Sequence, residues 1–319
     1  MCRDWSDCEF RVPSGDSIER LYEFLSECFP PDRPVFAEIA RTGKRFYTWT
    51  PHTLYSGDEI VGNVSLMPMR IWLDGCVTKV MGVASVATAP QYRRQGVASH
   101  VLHCALRSVD PQDVPCVLLT GLPDVYQGVG FQVVPQEYRA VRASQLHFTS
   151  GGFDGTLFES LDDARLPELA RVYDQEYPNY DGKVHRDSDY WQLYAMLFNL
   201  APQSRILLCM QGPEVLGYVR FDQDKDRLTV CELCVEPSAA DVCEALLGFL
   251  REFAAHANVE WLSLAFPPGH FAWALLRRHG VAVEPEPAGV AREAFMVRPA
   301  SGKSRPSLRG LQWSLADKF

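Results

Sequence analysis

Between residues 16 and 29 the apolar positions recur as Ile18, Leu21, Tyr22, Leu25 and Phe29, a stripe of helical period. A second, short helix is expected after Pro34, where Phe36, Ile39 and Ala40 share a face. The pattern then changes to that of strands over residues 46–55, 60–69 and 77–87. The polar turns Ser56-Gly57-Asp58-Glu59 and Asp74-Gly75 separate these segments and predict two hairpins. Past Pro90 helical spacing returns: Val97, Val101, Leu102, Ala105 and Leu106 lie on one face, with a stop near Val109-Asp110-Pro111. Residues 117–119 predict a short buried strand, 125–130 a short helix and 131–134 a further strand. This order predicts a mixed α/β (α+β) sheet with one parallel crossover.

Around Ser150-Gly151-Gly152 the register resets and the same plan begins again. Helices are expected over residues 166–173 and 189–200, a hairpin over 205–210 and 215–221, and a strand over 227–235. A strongly apolar helix over 242–255, a strand over 261–265, a helix over 271–279 and a strand over 294–297 complete the second half. Equal element order with weak sequence identity predicts an internal duplication. The expected domains are 1–150 and 151–298, followed by 299–319 as a Gly/Ser/Pro/basic linker and a final strand or tail.

The chain of 319 residues is long enough for two such domains, and 47% hydrophobic residues suit a folded protein rather than a disordered one. No apolar run approaches the roughly 20 residues of a membrane span. The N-terminal residues mix charges without an apolar core, so neither a membrane partner nor a signal peptide is expected and a cytoplasmic location is. Ten scattered cysteines predict buried free thiols, and Cys231 and Cys234, without a second ligand pair at zinc spacing, read as sheet core. No metal site is expected. The net charge of −9 speaks against a nucleic-acid partner and suits a cationic substrate.

Candidate chemistry gathers where strand residues Val86, Ala87 and Thr88 run through Pro90 and Tyr92 into Arg93-Arg94-Gln95-Gly96-Val97-Ala98-Ser99. Gly96 and Ala98 allow close backbone approach, amides at a helix start face anions, and Arg93 and Arg94 add cationic reach. A strand, loop and helix of this kind form an anion cradle.

This run resembles the cofactor motif of the Gcn5-related N-acetyltransferase (GNAT) superfamily, Arg/Gln-x-x-Gly-x-Gly/Ala, with Arg93, Gly96 and Ala98 in the motif positions. The resemblance implies acetyl-coenzyme A as co-substrate, with its diphosphate on the amides of residues 94–98. It implies that Val86, Ala87 and Thr88 pair with the pantetheine arm and that the Val86 amide is the oxyanion donor. Pro123-Asp-Val-Tyr-Gln-Gly-Val-Gly-Phe131 resembles the superfamily's Tyr-x-x-x-Gly-Phe element, so Tyr126 is implied as the acid that protonates the departing thiolate.

At the matching place in the second half stands Val235-Glu-Pro-Ser-Ala-Ala-Asp-Val242, without glycine and with Asp241 where phosphates would lie. The second GNAT fold is therefore expected to be degenerate and to help form the acceptor pocket, with Tyr173, Asp174, Glu176, Tyr177, Tyr180, Asp181, Tyr190 and Trp191 as candidate lining. The tandem layout and terminal Phe319 resemble the enhanced-intracellular-survival acetyltransferases, in which the chain terminus enters the active site. That resemblance makes the Phe319 carboxylate a candidate base. The chain departs from that family in lacking its sterol-carrier-like third domain. Other polar candidates near the site are Glu59, Asp74, His52 and Glu137. The expected activity is acetyl transfer to a primary amine of a small cationic molecule by direct attack in a ternary complex. The alternative is a non-catalytic acyl-CoA sensor. The pattern leaves the oligomeric state open.

Overall fold

The computed structural model describes residues 5, 7–42, 49–136, 138–175, 180–236, 239–267, 269–285 and 293–300. The first half supplies β1 (Glu9–Arg11), α1 (Asp16–Cys28), α2 (Arg33–Thr42), β2 (Thr50–Ser56), β3 (Glu59–Leu73) and β4 (Cys76–Thr88). It continues with α3 (Val97–Leu106), β5 (Cys116–Gly121), α4 (Pro123–Tyr126), β6 (Gln132–Val133) and β7 (Arg139–Arg142). The second half supplies β8 (Asp154–Phe158), α5 (Leu166–Gln175), α6 (Ser188–Asn199), β9 (Ser204–Gln211), β10 (Glu214–Gln223) and β11 (Arg227–Val235). It ends with α7 (Ala240–His256), β12 (Trp261–Leu264), α8 (Phe271–Arg278), β13 (Glu284–Pro285) and β14 (Ala294–Pro299).

The expected hairpins form. Asp74 and Gly75 both take positive φ, 51° and 75°, the handedness that lets a tight turn follow strand twist between β3 and β4. The first sheet runs β1-β2-β3-β4-β5-β14-β6, and the second, read from the matching edge, β8-β9-β10-β11-β12-β7-β13. The two orders are the same, with one reciprocal exchange. Strand β14, from the end of the described chain, lies between β5 and β6 of the first sheet, with Ala294 opposite Gly121 and Met296 opposite Leu119. Strand β7, from the end of the first half, pairs with β12 in the second, Leu262 opposite Val141.

The compact units follow this exchange. One unit runs to Pro135 and takes back β14, and the other begins at Gln136. The expected division at 150/151 thus falls inside the second unit, and the expected last strand of the second domain belongs to the first. Apolar alternation marks a segment as a strand but carries no information on which distant edge it pairs with. Residues 301–319, with most of the expected linker, the expected final strand and Phe319, lie outside the described residues.

Each unit places its sheet between helices. In the first, Val97, Val101, Leu102 and Ala105 of α3 pack on Val64, Leu66, Val83 and Leu119 of the sheet. The helices α1 and α2 bring Leu21, Leu25, Phe36 and Ile39 together with Ala87. In the second, Val242, Cys243, Leu246 and Leu250 of α7 cover one face, and Leu169, Val172, Trp191 and Phe198 of α5 and α6 join the core on the other. Cys231 and Cys234 sit in that last core, and all nine described cysteines are free. Among the described residues no helix is long and apolar enough to cross a membrane, and no cluster of His, Cys, Asp or Glu could hold a metal ion.

Candidate active site

The site begins where two neighbouring strands part. β4 and β5 pair in parallel at Met81–Val117 and Gly82–Leu118, and the register does not extend to their C-terminal ends. One arm of the resulting opening is residues 83–88 of β4, continuing through the 3₁₀ turn Pro90–Tyr92 into α3. The other is the end of β5, continuing into α4 and Tyr126. Unpaired ends of adjacent parallel strands are the place where an α/β sheet can admit a ligand.

The β4 arm is irregular at one point. Ser65 faces Ala84 and Asn63 faces Ala87, so Ser85 and Val86 together oppose the single residue Val64. This is a β-bulge, and Ser85 takes φ 49°, a left-handed conformation that costs a non-glycine residue about 1–2 kcal/mol. Beneath it lies a buried polar chain. The Thr53 hydroxyl donates to Asn63 Oδ1 at 2.9 Å, and Asn63 Nδ2 donates to the Ser85 carbonyl at 3.0 Å and to Ser65 Oγ at 3.2 Å. Thr53 and Asn63 have no exposed surface.

The loop is braced from below. Tyr92 Oη donates to Glu59 Oε2 at 2.8 Å, the Gln91 amide reaches Glu59 Oε1, and Tyr92 meets Trp5 edge-on at 6.0 Å. Arg93 Nε reaches the Thr88 carbonyl at 3.4 Å, and the Gln95 amide donates to the Gln91 carbonyl at 2.9 Å. Arg94 and Gly96 adopt left-handed φ of 59° and 83°, and no side chain caps the first turn of α3. Left-handed residues before a helix start are the backbone geometry from which an anion-binding nest can be built. Arg93, Arg94 and Gly96 are exposed there, while Val97 is buried and anchors the helix.

Across the opening, the Tyr126 ring packs edge-on to Phe131 at 6.2 Å and lies against Gly121. Burial, with the negative charge of Glu293 added to it, pushes the Tyr126 phenol up to about 12. A phenol so raised stays protonated, as a proton donor must.

The structure thus brings Val86, Ala87, Thr88, residues 93–99 and Tyr126 to the two arms of one opening. The other polar candidates separate from it. Glu59 is engaged in bracing Gln91 and Tyr92. Asp74 is exposed in the β3–β4 turn. His52 is buried, with Nδ1 at 2.9 Å from the Thr50 carbonyl, its ring stacked on Phe10 and its pKa lowered by burial. Glu137, Glu176, Tyr177 and Phe319 lie outside the described residues. Tyr173 and Trp191 do not line an open pocket: both are 3% exposed and meet each other at 5.6 Å within the core of the second unit. Their large apolar rings bury more favourably than they solvate. Sequence reasoning missed Asn63, Gly121 and Glu293. A buried Asn within the apolar run 60–69 was a signal for the first. Gly121 is set by its close approach to the Tyr126 ring, and Glu293 comes with a strand from far along the chain.

In the second unit the first turn of α7 carries Asp241, whose carboxylate accepts from the Val242 amide at 3.0 Å. A carboxylate there repels phosphate.

Residues 9–134 match the family model described as an acetyltransferase (GNAT) domain. The match lies within the first unit and spans less than half of the chain. No curated protein sequence matches the chain. Among solved structures, a GCN5-related N-acetyltransferase from Anabaena variabilis superposes with a TM-score of 0.69 at 16% identity, covering 92% of this chain and 73% of its own. Eis1 from Mycobacterium abscessus gives 0.62 at 16% identity, with the same 92% and 73% coverage. A tandem GNAT protein from the clavulanic acid biosynthesis pathway gives 0.53 at 14% identity, covering 93% of this chain and all of its own. At such identities the likeness speaks for the fold. Together with the repeated strand order it makes the layout a tandem of two such folds.

Proposed function

We propose that the chain transfers an acetyl group from acetyl-coenzyme A to a primary amine of a small cationic molecule, by direct attack in a ternary complex. The observation that carries this reading is the opening between β4 and β5, with an anion nest on one arm and a protonated, half-buried phenol on the other. The nest fits a diphosphate: backbone amides at the start of α3 with Arg93 and Arg94 beside them. The exposed backbone edge of β4 fits the amides of a pantetheine arm, as an added strand would.

In this reading the Val86 amide donates to the thioester oxygen as negative charge develops on it. The amine nitrogen bonds to the carbonyl carbon, the carbon–sulfur bond breaks, and Tyr126 delivers its proton to the departing thiolate. The ammonium proton leaves to water, and water returns a proton to the Tyr126 phenolate, which restores the starting state. The net charge of −9 supports a cationic acceptor by raising its local concentration. The second GNAT fold, with Asp241 at its helix start, binds no coenzyme A in this scheme.

Thiol release from acetyl-coenzyme A, followed with polyamine, aminoglycoside and peptide acceptors for wild type and Tyr126→Phe, tests the proposal. Turnover with one amine class, lost in Tyr126→Phe while coenzyme A still binds, is the expected result. Tight binding without turnover of any acceptor would instead make the protein an acyl-CoA sensor.

A further inference from the structure

We infer that Asn63 is the residue that aims the oxyanion donor: its carboxamide fixes the peptide unit between Ser85 and Val86, and with it the direction of the Val86 N–H. The inference rests on the proposed role of the Val86 amide.

The Ser85 carbonyl and the Val86 N–H belong to one planar, trans peptide, so they point in opposite directions. A group that holds the carbonyl therefore sets where the amide points. Asn63 Nδ2 holds that carbonyl at 3.0 Å. The carboxamide cannot turn over, because a carbonyl only accepts and Asn63 Oδ1 already receives the Thr53 hydroxyl at 2.9 Å. The remaining amide hydrogen goes to Ser65 Oγ at 3.2 Å. Asn63 and Thr53 are 0% exposed and Ser65 3%, so water does not compete for these bonds.

The bulge explains why such an anchor is placed here. With two residues opposite Val64, the regular ladder cannot by itself hold the Ser85–Val86 peptide, and Ser85 sits at φ 49° against its own preference. The Asn63 bond opposes relaxation of that strained turn toward ordinary extended backbone. Hydrogen bonding at the carbonyl also polarises the same peptide and makes its N–H a better donor. Asn63 touches no reacting atom in this account; it is a positioning residue.

The test uses the full chain and two variants. Asn63→Asp keeps size and the Thr53 bond but replaces the donor to Ser85 by a second acceptor. Thr53→Val keeps Asn63 and removes the group that fixes its orientation. The probe is the ketone analogue S-(2-oxopropyl)-coenzyme A, read by the infrared carbonyl stretch of its isotopically labelled ketone, next to calorimetric affinities for the analogue and for coenzyme A.

Wild type is expected to shift the carbonyl stretch to lower frequency, because a donor meets the oxygen. Asn63→Asp is expected to lose most of that shift and kcat by about a hundredfold, as for a lost oxyanion donor. Its affinity for coenzyme A, which has no acyl carbonyl, should stay as in wild type. Thr53→Val should fall between the two and keeps the test available if Asn63→Asp does not fold. A full carbonyl shift in the folded variants overturns the role of Asn63. An equal loss of affinity for both ligands does so too, since a general collapse of the site has that signature. An absent shift in wild type removes the Val86 role beneath the inference, and absent coenzyme A binding removes the proposed function itself.

Discussion

The Tyr126 ring lies against the bare backbone of Gly121, so closely that a Cβ at that position would stand 2.7 Å from ring carbon Cε2. Gly121 is the last residue of β5 and faces Ala294 of the incoming strand β14. The ring is thus seated on a gap in the side-chain surface. Gly121→Ala should displace the ring, at a cost of about 1–3 kcal/mol in unfolding free energy. It should lower kcat while leaving affinity for coenzyme A unchanged, since the phosphate nest is on the other arm. Denaturant unfolding, calorimetry with coenzyme A and thiol-release kinetics check the three parts. Unaltered kcat in a folded variant would mean that the position of Tyr126 is irrelevant to turnover.

The raised phenol makes a second prediction, in pH. Burial and then Glu293 push Tyr126 up to about 12, so it remains a donor throughout the working range. No alkaline loss of kcat assignable to Tyr126 is expected below about pH 10. The folded value lies above the unfolded one of about 10, so its contribution to stability is complete below pH 10. That contribution is lost as pH rises toward about 12. Glu293→Gln removes the second cause, and tyrosinate absorption in the near ultraviolet should then appear at lower pH. The wild type minus Tyr126→Phe difference titration isolates the group from the other tyrosines.

Arg93 and Arg94 stand exposed beside the nest, where their charges act through solvent. Replacing both by Ala should weaken coenzyme A binding by roughly tenfold, or about 1.4 kcal/mol. The same pair should account for most of the loss of affinity as salt is added, because exposed charges are screened over about 10 Å at 0.1 M ionic strength. A salt dependence that persists in the double variant would locate the phosphate-binding charge elsewhere.

What the sequence disclosed and what it concealed divide along a physical line. The turn into α3 was legible because residues 93–99 are contiguous, and local backbone chemistry suffices to build it. Tyr126 was legible through its neighbours Gly128, Gly130 and Phe131. The charge that acts on that tyrosine was not, since Glu293 reaches it from the far end of the second half. The exchange of β7 and β14 is non-local pairing, which alternation of apolar residues cannot encode. Tyr173 and Trp191 were candidate pocket lining, yet their rings were needed for the core. Asn63 belongs between these cases: its polarity in an apolar strand was visible, its target across the bulge was not.

The second unit carries its own buried ionic cluster, and it should govern stability rather than catalysis. Arg186 Nη2 meets Glu232 Oε1 at 2.6 Å with side-chain exposures of 0% and 6%. Tyr218 and Tyr194 donate to Glu232 Oε2 at 2.8 and 3.1 Å. The Arg186 guanidinium lies over the Tyr173, Tyr194 and Trp191 rings at 4.0, 4.6 and 4.9 Å. Burial alone would raise the Glu232 carboxyl, but the Arg186 charge and the hydrogen bonds outweigh it and hold the group below its ordinary value. Glu232→Gln leaves a buried guanidinium without its counter-charge, which should cost about 3–5 kcal/mol at neutral pH. The double variant Arg186→Met, Glu232→Gln should cost less than the single one, because the Arg186 charge is then no longer stranded. The sign with pH follows from the lowered carboxyl: the stabilisation is present above the unfolded value of about 4.3 and is lost as pH falls through the folded one. The stability gap between wild type and Glu232→Gln should therefore narrow on acidification. Urea unfolding of the three proteins at neutral and acidic pH measures it. A gap that stays constant or widens in acid would mean that Glu232 is not held as the carboxylate.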